Sequence, residues 1–251
     1  MQNIETKGLV LFTRNYKEKD KLVKIFTRDQ GKRMFFIRNT AKSTLIPSLQ
    51  PFNVIDFTAR INTGGFSFMS DISKTHIFKN IDEDIFMNAH ASYMISLADT
   101  AIPDNQADEK LYDFLLKNLQ LLEQGFDEEI ITNIFELQAL SYFGAQVNLF
   151  ECCICHTKNV AFDYSFKYDG CLCKEHLNLD ERRLHLDPNV IYFSNIFLNI
   201  NLEQLKEISL KDDMKKKIRL FIDELYEEYT GVQLKAKKFL DDMDSWAKLM
   251  K

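Results

Sequence analysis

The strongest constraint on the fold of this chain is the position of its cysteines. All five cysteines of the 251-residue sequence lie between positions 152 and 173. Closely spaced cysteines in a reducing compartment bind metal or act in redox chemistry more often than they form structural disulfides. Residues 1–12 contain no basic region followed by a long apolar one, so we expect no secretion signal and a cytoplasmic protein.

Two pairs of residues in this window have the spacing of zinc ligands. Two residues separate Cys152 from Cys155 and Cys173 from His176, and 17 residues lie between the pairs. Two such turns supply the four tetrahedral ligands that Zn²⁺ takes in structural sites, where the metal supports folding and not chemistry. Aromatic residues alternate through residues 160–168, as in a strand of a zinc ribbon or treble-clef finger.

The spacing leaves alternative ligands open. Cys153 could replace Cys152, Cys171 could replace Cys173, and His156 lies next to a ligand. We prefer the first set because it gives two equal knuckles. The two remaining cysteines are then small buried residues or weakly reactive thiols.

The charge of the chain is unevenly distributed. The sequence has 32 Lys+Arg and 37 Asp+Glu, and the net charge of −5 taken alone argues against a nucleic-acid binder. Residues 1–80, however, contain 14 basic and 6 acidic residues (+8), and the other 171 residues contain 18 and 31 (−13). Such asymmetry indicates a nucleic-acid surface on the first segment. The alternative is that these are solvated faces of unrelated domains.

The first third of the chain predicts a small β-barrel. Short runs rich in β-branched and aromatic residues alternate with turn signals, and no helical pattern comes between them. An OB-fold or SH3-like barrel removes the exposed edges of such a sheet. The predicted strands are residues 8–14, 21–27, 33–38, 52–60 and 66–72.

From about residue 82 the apolar residues repeat with a helical period. The third predicted helix has apolar residues on several faces, which indicates a central buried helix. The predicted helices are residues 83–99, 107–123, 127–148, 201–209, 212–229 and 235–246. We therefore expect an α+β chain in four segments. These are a barrel at 1–80, a helical domain at 81–150 and 187–251, and a zinc finger inserted at 151–186.

The sequence contains no signature of a catalytic site. There is no His-Glu-x-x-His motif, and Gly31-Lys32 lacks the other residues of a phosphate-binding loop. No run of apolar residues reaches the roughly 18 that a membrane span requires. We expect a protein that is not an enzyme and does not enter the membrane.

Basic residues gather on the first two connections of the predicted barrel and on the strands beside them. In barrels that bind nucleic acid, cations follow the phosphates and rings stack on the bases without reading sequence. Tyr16 is the ring most free to stack, and the other rings alternate as core residues do. The rings assigned to the core are Phe12, Phe26, Phe35, Phe52, Phe57 and Phe68. The residues predicted to bind DNA are Arg14, Tyr16, Lys17, Lys19, Lys21, Lys24, Arg28, Lys32, Arg33, Arg38 and Lys42.

A series of motifs runs in order along nearly the whole chain. They are Lys7-Gly8-Leu9-Val10-Leu11, Arg14-Asn15-Tyr16-Lys17-Glu18-Lys19-Asp20-Lys21-Leu22, Arg38-Asn39-Thr40-Ala41-Lys42-Ser43, Leu49-Gln50-Pro51-Phe52, Phe135-Glu136-Leu137-Gln138-Ala139-Leu140, the two zinc-ligand pairs, and Leu234-Lys235-Ala236-Lys237-Lys238-Phe239-Leu240. Together they resemble the RecO family of bacterial recombination mediators.

The resemblance implies an OB-fold domain, a helical domain and a zinc finger inserted in the latter. It also implies binding to single- and double-stranded DNA, annealing of complementary strands, contact with RecR and the single-strand binding protein SSB, and help in loading RecA. The SSB tail is acidic in the family, and basic residues near the C-terminus are its predicted partners, the alternative being a solvated helix face. They are Lys206, Lys211, Lys215, Lys216, Lys217 and Arg219. The competing hypothesis is a zinc-stabilised interaction scaffold with incidental DNA contact.

Overall fold

The chain forms two compact units. The computed structural model describes the backbone of residues 2–62 and 64–249, and the side chains of residues 4–62 and 64–243. One unit comprises the chain up to Gly125 together with the residues from Leu234 onward, and the other is Phe126–Gln233. The helices before Gly125 thus pack in the same unit as the strands, and the functional division into four segments stays a prediction.

The N-terminal strands form an antiparallel sheet with the order β3-β2-β1-β4-β5. An isolated parallel bridge between Phe35 and Ser67 joins the two edge strands β3 and β5. Closure through this bridge gives the partly open five-stranded barrel of an OB-fold, which confirms the predicted fold class. The strands are β1 Gln2–Tyr16, β2 Asp20–Thr27, β3 Gly31–Ile37, β4 Val54–Ile61 and β5 Phe68–His76.

The first strand is longer than the pattern predicts. Its N-terminal half pairs with β4, from Gln2 opposite Ile61 onward, and from Gly8 it pairs also with β2. Polar residues at positions 2, 3, 5 and 6 hide this strand in the sequence, because its pairing comes from backbone hydrogen bonds. Gly8 is required where β1 and β2 come close, since a Cβ there would lie 2.5 Å from Cγ2 of Ile25.

Among the described residues of the first unit, four segments form α-helices. The helix predicted at 83–99 is present as Ile85–Ala101, and a short helix that was not predicted, Lys79–Glu83, comes directly before it. Asp84 adopts an extended conformation, ends the short helix, and caps the longer one by accepting hydrogen bonds from the backbone N–H groups of Phe86 and Met87. The four helices are α1 Lys79–Glu83, α2 Ile85–Ala101, α3 Glu109–Glu123 and α7 Lys235–Leu249.

Three helices and a hairpin form the second unit. The helices are α4 Glu128–Ala139, α5 Pro188–Asn199 and α6 Asp212–Tyr229, and the hairpin pairs β6 Phe162–Ser165 with β7 Gly170–Cys173. As predicted, α4 is buried on almost all sides. None of the helices in the described part of the chain is long and apolar enough to cross a membrane.

Two helix predictions in this unit are wrong, and one helix was missed. The helix predicted for 127–148 ends earlier, because Gly144 with φ of 84° follows a short 3-10 turn and stops it. Residues 201–209 contain only the 3-10 turn Leu202–Gln204. The missed helix is α5, which starts with a signal visible in the sequence, Asp187 as N-cap before Pro188 at the first helical position.

Candidate metal centre and nucleic-acid interface

Four side chains of the second unit converge on one point. Cys152, Cys155, Cys173 and His176 each offer a ligand atom, and these atoms all lie within 4.8 Å of one another. The Sγ atoms of Cys155 and Cys173 are 3.7 Å apart, and Nδ1 of His176 lies 3.5 Å from Sγ of Cys152 and 3.3 Å from Sγ of Cys173. Zinc bonds of about 2.3 Å to sulfur and about 2.0 Å to nitrogen place tetrahedral ligand atoms roughly 3.5–3.8 Å apart. The arrangement therefore fits a tetrahedral metal ion.

The backbone around Cys152 and Cys155 favours metal binding by this pair. His156, with φ of 57°, closes the turn, and its N–H donates to the carbonyl oxygen of Cys152 at 2.9 Å. Burial raises the pKa of Cys152, but backbone N–H groups of Cys155, Cys173 and Ile154 outweigh burial and lower the pKa to about 6. The turn therefore favours the thiolate, the form in which cysteine binds metal.

The alternative ligands lie outside this group. Burial raises the pKa of Cys171 to about 12, which disfavours the thiolate. Burial also raises the pKa of Cys153, whose N–H donates to the carbonyl oxygen of Cys171 at 2.8 Å. His156 is exposed, and its Nδ1 lies 3.3 Å from a carboxylate oxygen of Glu151. The structure thus brings together the four residues that the spacing favours.

The hairpin that carries the second pair is anchored on α6. The ring of Tyr164 in β6 packs against Phe221 at a centroid distance of 5.4 Å, and its hydroxyl lies 2.8 Å from that of Tyr229. Asp163 forms an ion pair of 2.9 Å with Arg183 and is almost fully buried. The packing of the hairpin against α6 therefore helps to hold the second pair of metal ligands in place.

In the first unit, part of the barrel's positive charge is neutralised by acidic residues of the helices. Nζ of Lys24 lies 2.6 Å from Asp99 and 2.9 Å from Asp104, and Nζ of Lys32 lies 3.0 Å and 3.4 Å from the same carboxylates. Lys32 is only 1% exposed. The segment around Gln106 passes close to the backbone next to this lysine, and only a glycine without a side chain, Gly31 with φ of 72°, allows this approach. A Cβ there would lie 2.2 Å from the carbonyl oxygen of Gln106.

A third cation of the barrel, Arg28, is also paired with acidic residues of the helices. Arg28 donates two hydrogen bonds of 2.9 Å to the carboxylate of Asp113 and forms an ion pair of 3.0 Å with Glu109. The hydrogen bond from Arg28 holds the pKa of Asp113 below its usual range. Three of the eleven residues predicted to bind DNA are thus engaged by acids of α2, α3 and the loop between them, and their contact with DNA stays a prediction.

A substitution at Lys32 separates the structural role from the DNA role. We expect Lys32→Met to lower the free energy of unfolding by about 1.5–3 kcal/mol, because hydrogen bonds to charged groups are lost in a buried site. The salt dependence of DNA binding should stay unchanged. Exposed Lys42→Met is the contrasting variant, and it should flatten the salt dependence without loss of stability. Urea unfolding and fluorescence anisotropy measure the two effects, and a reversed pattern would return Lys32 to the DNA-binding set.

The other predicted cations differ in exposure. Arg33 is half-buried, its guanidinium donates to the carbonyl oxygens of Gln30 and Asn62, and burial lowers its pKa. Lys21 is half-buried as well. The exposed ones form no ion pair with any described residue, and they are Arg14, Lys17, Lys19, Arg38 and Lys42.

Four aromatic rings form a surface cluster beside these exposed cations. Tyr16 contacts Phe36 and Phe66 at centroid distances of 5.8 and 5.9 Å, and Phe36 contacts Phe66 and Phe68 at 6.0 and 6.2 Å. We call Tyr16, Phe36, Phe66 and Phe68 the aromatic cluster. The guanidinium of Arg38 lies over two of its rings, 5.7 Å from that of Phe36 and 5.9 Å from that of Phe68.

Of the four rings in this cluster, only Tyr16 is predicted from the sequence to lie on the surface. The pattern assigns neither Phe36 nor Phe66 to the surface, and the prediction that Phe68 belongs to the core is wrong because its side chain is half-buried. Phe12 is half-buried too, whereas the other four assigned rings are buried as predicted. A signal for Phe36 exists, since it alternates with buried Phe35 and Ile37 and therefore points away from the core.

Comparison with known proteins identifies the family. Residues 1–78 match the model of the Recombination protein O N-terminal domain, and residues 82–238 match that of the C-terminal domain. The chain belongs to the RecO family. Among its relatives named DNA repair protein RecO, one from Lactococcus lactis subsp. lactis is 60% identical over the whole of both chains. Another, from Streptococcus suis, is 51% identical over all of this chain and 96% of its own length.

In this RecO-family chain, half of the cations predicted to meet an acidic partner have acidic neighbours within the second unit. Lys215 is almost fully buried, and its Nζ donates to Asp127 at 2.9 Å. Burial lowers the pKa of Lys215, but its hydrogen bonds to Asp127 and Asp212 and the nearby negative charges outweigh burial and raise the pKa. Lys217 pairs with Asp187 and Asp213, and Arg219 with Glu136 and Asp223. The three that are exposed without an ion pair to a described residue are Lys206, Lys211 and Lys216.

Proposed function

We propose that this RecO-family protein is a non-catalytic DNA-binding mediator of repair and recombination. It binds single- and double-stranded DNA, anneals complementary strands and, with RecR, assists RecA loading on SSB-coated DNA in the bacterial cytoplasm at the nucleoid. The observation that carries the proposal is the aromatic cluster with exposed cations beside it. Membership of a DNA repair family supports it.

The barrel offers both elements that an unpaired strand requires. The first connection carries Lys17 and Lys19, and the segment after β3 carries Arg38 and Lys42, all exposed. Cations of this kind hold successive phosphates, while aromatic rings supply stacking surfaces that accept any base. In OB-folds the first connection and the connection between β4 and β5 are the usual binding loops, and Tyr16 and Phe66 lie at these positions.

The acidic helices of the same unit leave the surface around the aromatic cluster and its exposed cations as the part of the barrel that favours DNA. Asp99, Asp104, Glu109 and Asp113 pair with the cations of β2 and its turn to β3, and they repel phosphates from that region. Annealing requires no bond to be broken. It needs only that two strands are held with their charge screened and released as a duplex, which fits a binding surface without catalytic groups.

We propose that the metal centre holds a structural Zn²⁺ ion. Three thiolates and one imidazole are soft and borderline donors that suit this ion, and four protein ligands complete its tetrahedral coordination. When bound, the ion supplies folding energy to the hairpin of β6 and β7. Cys152 and Cys155 hold it from one turn, and Cys173 and His176 hold it from the end of β7 and the turn that follows.

For the acidic SSB tail we propose the exposed lysines at positions 206, 211 and 216. Lys215, Lys217 and Arg219 already have carboxylate partners, and they are expected to contribute less. Charge reversal of the three exposed lysines, compared with reversal at Lys167 in the hairpin region, tests this assignment by tail-peptide binding. An equal loss of affinity for the tail peptide in both variants would contradict this assignment.

The salt dependence of DNA binding tests the barrel surface. For a variant with Lys17→Glu, Lys19→Glu and Arg38→Glu, we expect a lower affinity for a single strand and a flatter plot of log affinity against log salt. Each lost phosphate contact removes about 0.7 from the slope. Fluorescence anisotropy over a range of salt concentrations measures both quantities.

Lys110→Glu is the matched control for the charge change. This lysine is exposed on α3 in the acidic part of the same unit, away from the aromatic cluster in sequence, so its reversal should leave the slope as it is. An unchanged slope in the triple variant would contradict the barrel surface. Annealing of SSB-coated strands by the same two variants then shows whether the DNA surface serves the mediator function.

A further inference from the structure

A pocket opens on the barrel where its two edge strands meet. The contact between β3 and β5 is an isolated bridge at Phe35 and Ser67, supported by hydrogen bonds of 2.9 Å from Phe36 N to Ser67 O and from Ser67 N to Met34 O. Past this bridge lies a cavity of about 470 Å³, within the range of about 300–1,000 Å³ typical of small-molecule sites. We call it the seam pocket.

The lining of the seam pocket combines rings, apolar side chains and positive charge. Phe36 and Phe68 contribute rings, Leu45 an apolar wall and Ser43 a hydroxyl group, and Arg38 and Arg60 contribute guanidinium groups. None of the described residues that line it is acidic. The pocket therefore selects a ligand with a flat apolar part and a negative charge.

Arg60 was not among the residues predicted from the sequence. It lies directly opposite Phe68 in the register of β4 and β5, so the two side chains share one face of the sheet. Arg60 is exposed and forms no ion pair with any described residue. A guanidinium group beside a ring is suited to a phosphate that is attached to a stacked base.

We propose that the seam pocket binds one unpaired nucleotide of a single strand. Its base stacks on the ring of Phe68 and meets the perpendicular ring of Phe36 edge to face, and its phosphates meet Arg60 and Arg38. Without DNA the guanidinium of Arg38 covers these two rings, so the base takes its place and Arg38 turns to the phosphate. This inference rests on the proposed function, which it deepens by assigning single-strand preference to one pocket. A base in a duplex is already paired and stacked and cannot enter it.

The test compares strands that differ only in their bases. Fluorescence anisotropy of the full chain is measured with an oligothymidylate of about 12 nucleotides, within the site sizes of OB-folds, with an abasic strand of equal length, and with a duplex. The wild type should prefer the oligothymidylate to the abasic strand. Phe68→Leu keeps the apolar volume but loses the ring, and it should weaken oligothymidylate binding by about tenfold while leaving the abasic strand and the duplex unchanged.

Matched controls separate the pocket from general effects. Phe239→Leu, at an exposed ring of α7, should bind all three ligands as the wild type does. Arg60→Gln should weaken binding of both single strands, whereas Arg182→Gln, at an exposed arginine of the second unit, should not. Circular dichroism and thermal unfolding verify that each variant is folded. If Phe68→Leu is misfolded, Arg60→Gln and quenching of 2-aminopurine placed in the strand decide the question.

The outcomes distinguish the pocket from the wider surface. Equal affinity of the wild type for the base-bearing and abasic strands would overturn the pocket, as would a folded Phe68→Leu variant that binds like the wild type. In either case the salt-slope result can still support the cationic surface. If the variant with Lys17→Glu, Lys19→Glu and Arg38→Glu also binds a single strand with the affinity and salt slope of the wild type, the proposed function of the barrel itself fails.

Discussion

Replacement of Cys155 by Ser is expected to remove stoichiometric zinc and to unfold the hairpin of β6 and β7. Cys155 is exposed, so the substitution costs almost no packing, and any effect comes from the lost ligand. Structural zinc sites bind with about 10–16 kcal/mol, which is comparable with the about 5–15 kcal/mol by which a whole domain is stable. Without the metal, the hairpin should therefore not persist.

Cys153→Ser provides a control two positions away in the same turn. Its thiol lies outside the four-ligand group, so this variant should retain zinc and unfold like the wild type. Metal content by mass spectrometry and limited proteolysis of residues 151–186 are the measurements. If Cys155→Ser kept its zinc, or Cys153→Ser lost it, the ligand set would be incorrect.

The second large effect is expected from Arg219→Met, which should lower the free energy of unfolding by about 3–5 kcal/mol. Arg219 forms a bidentate ion pair with Glu136, which is 1% exposed in α4, and the bond from its Nη2 to the carboxylate is 2.6 Å long. The variant leaves a buried carboxylate without this partner. The desolvation of that charge is then no longer offset, which is why the loss exceeds that of a surface pair.

Two further variants show whether the buried charge causes the loss. Lys216→Met removes an exposed cation of the same helix and should change stability by no more than about 0.5 kcal/mol. The double variant Glu136→Leu/Arg219→Met replaces the whole pair with apolar side chains and should recover most of the stability. A double variant as unstable as the single one, in urea unfolding of the full chain, would show that packing and not charge is responsible.

The convergence of the four possible metal ligands and the order of a β-barrel followed by helices could be predicted from the sequence, because their causes are local. Zinc ligation depends on two turns, each with two residues between its ligands, and such turns are encoded within four consecutive positions. The strands of the barrel and most helices likewise follow from periods of two and 3.6 residues. The helix predicted at 127–148 ends too early for its pattern, because the single residue Gly144 changes the backbone direction within an otherwise apolar periodic segment.

The fate of the positive charges was decided only by the tertiary structure. Lys19 and Lys32 are alike in the sequence, yet Lys19 is exposed and Lys32 is buried against Asp99, 67 positions away. The same holds for the rings, since Phe36 and Phe68 meet only because the bridge at Phe35 and Ser67 closes the barrel. Composition by itself determined that the first segment is basic and that the cysteines form one cluster. Long-range packing determined which cations and rings remain available to a ligand, because burial and ion pairing depend on neighbours that no local pattern specifies.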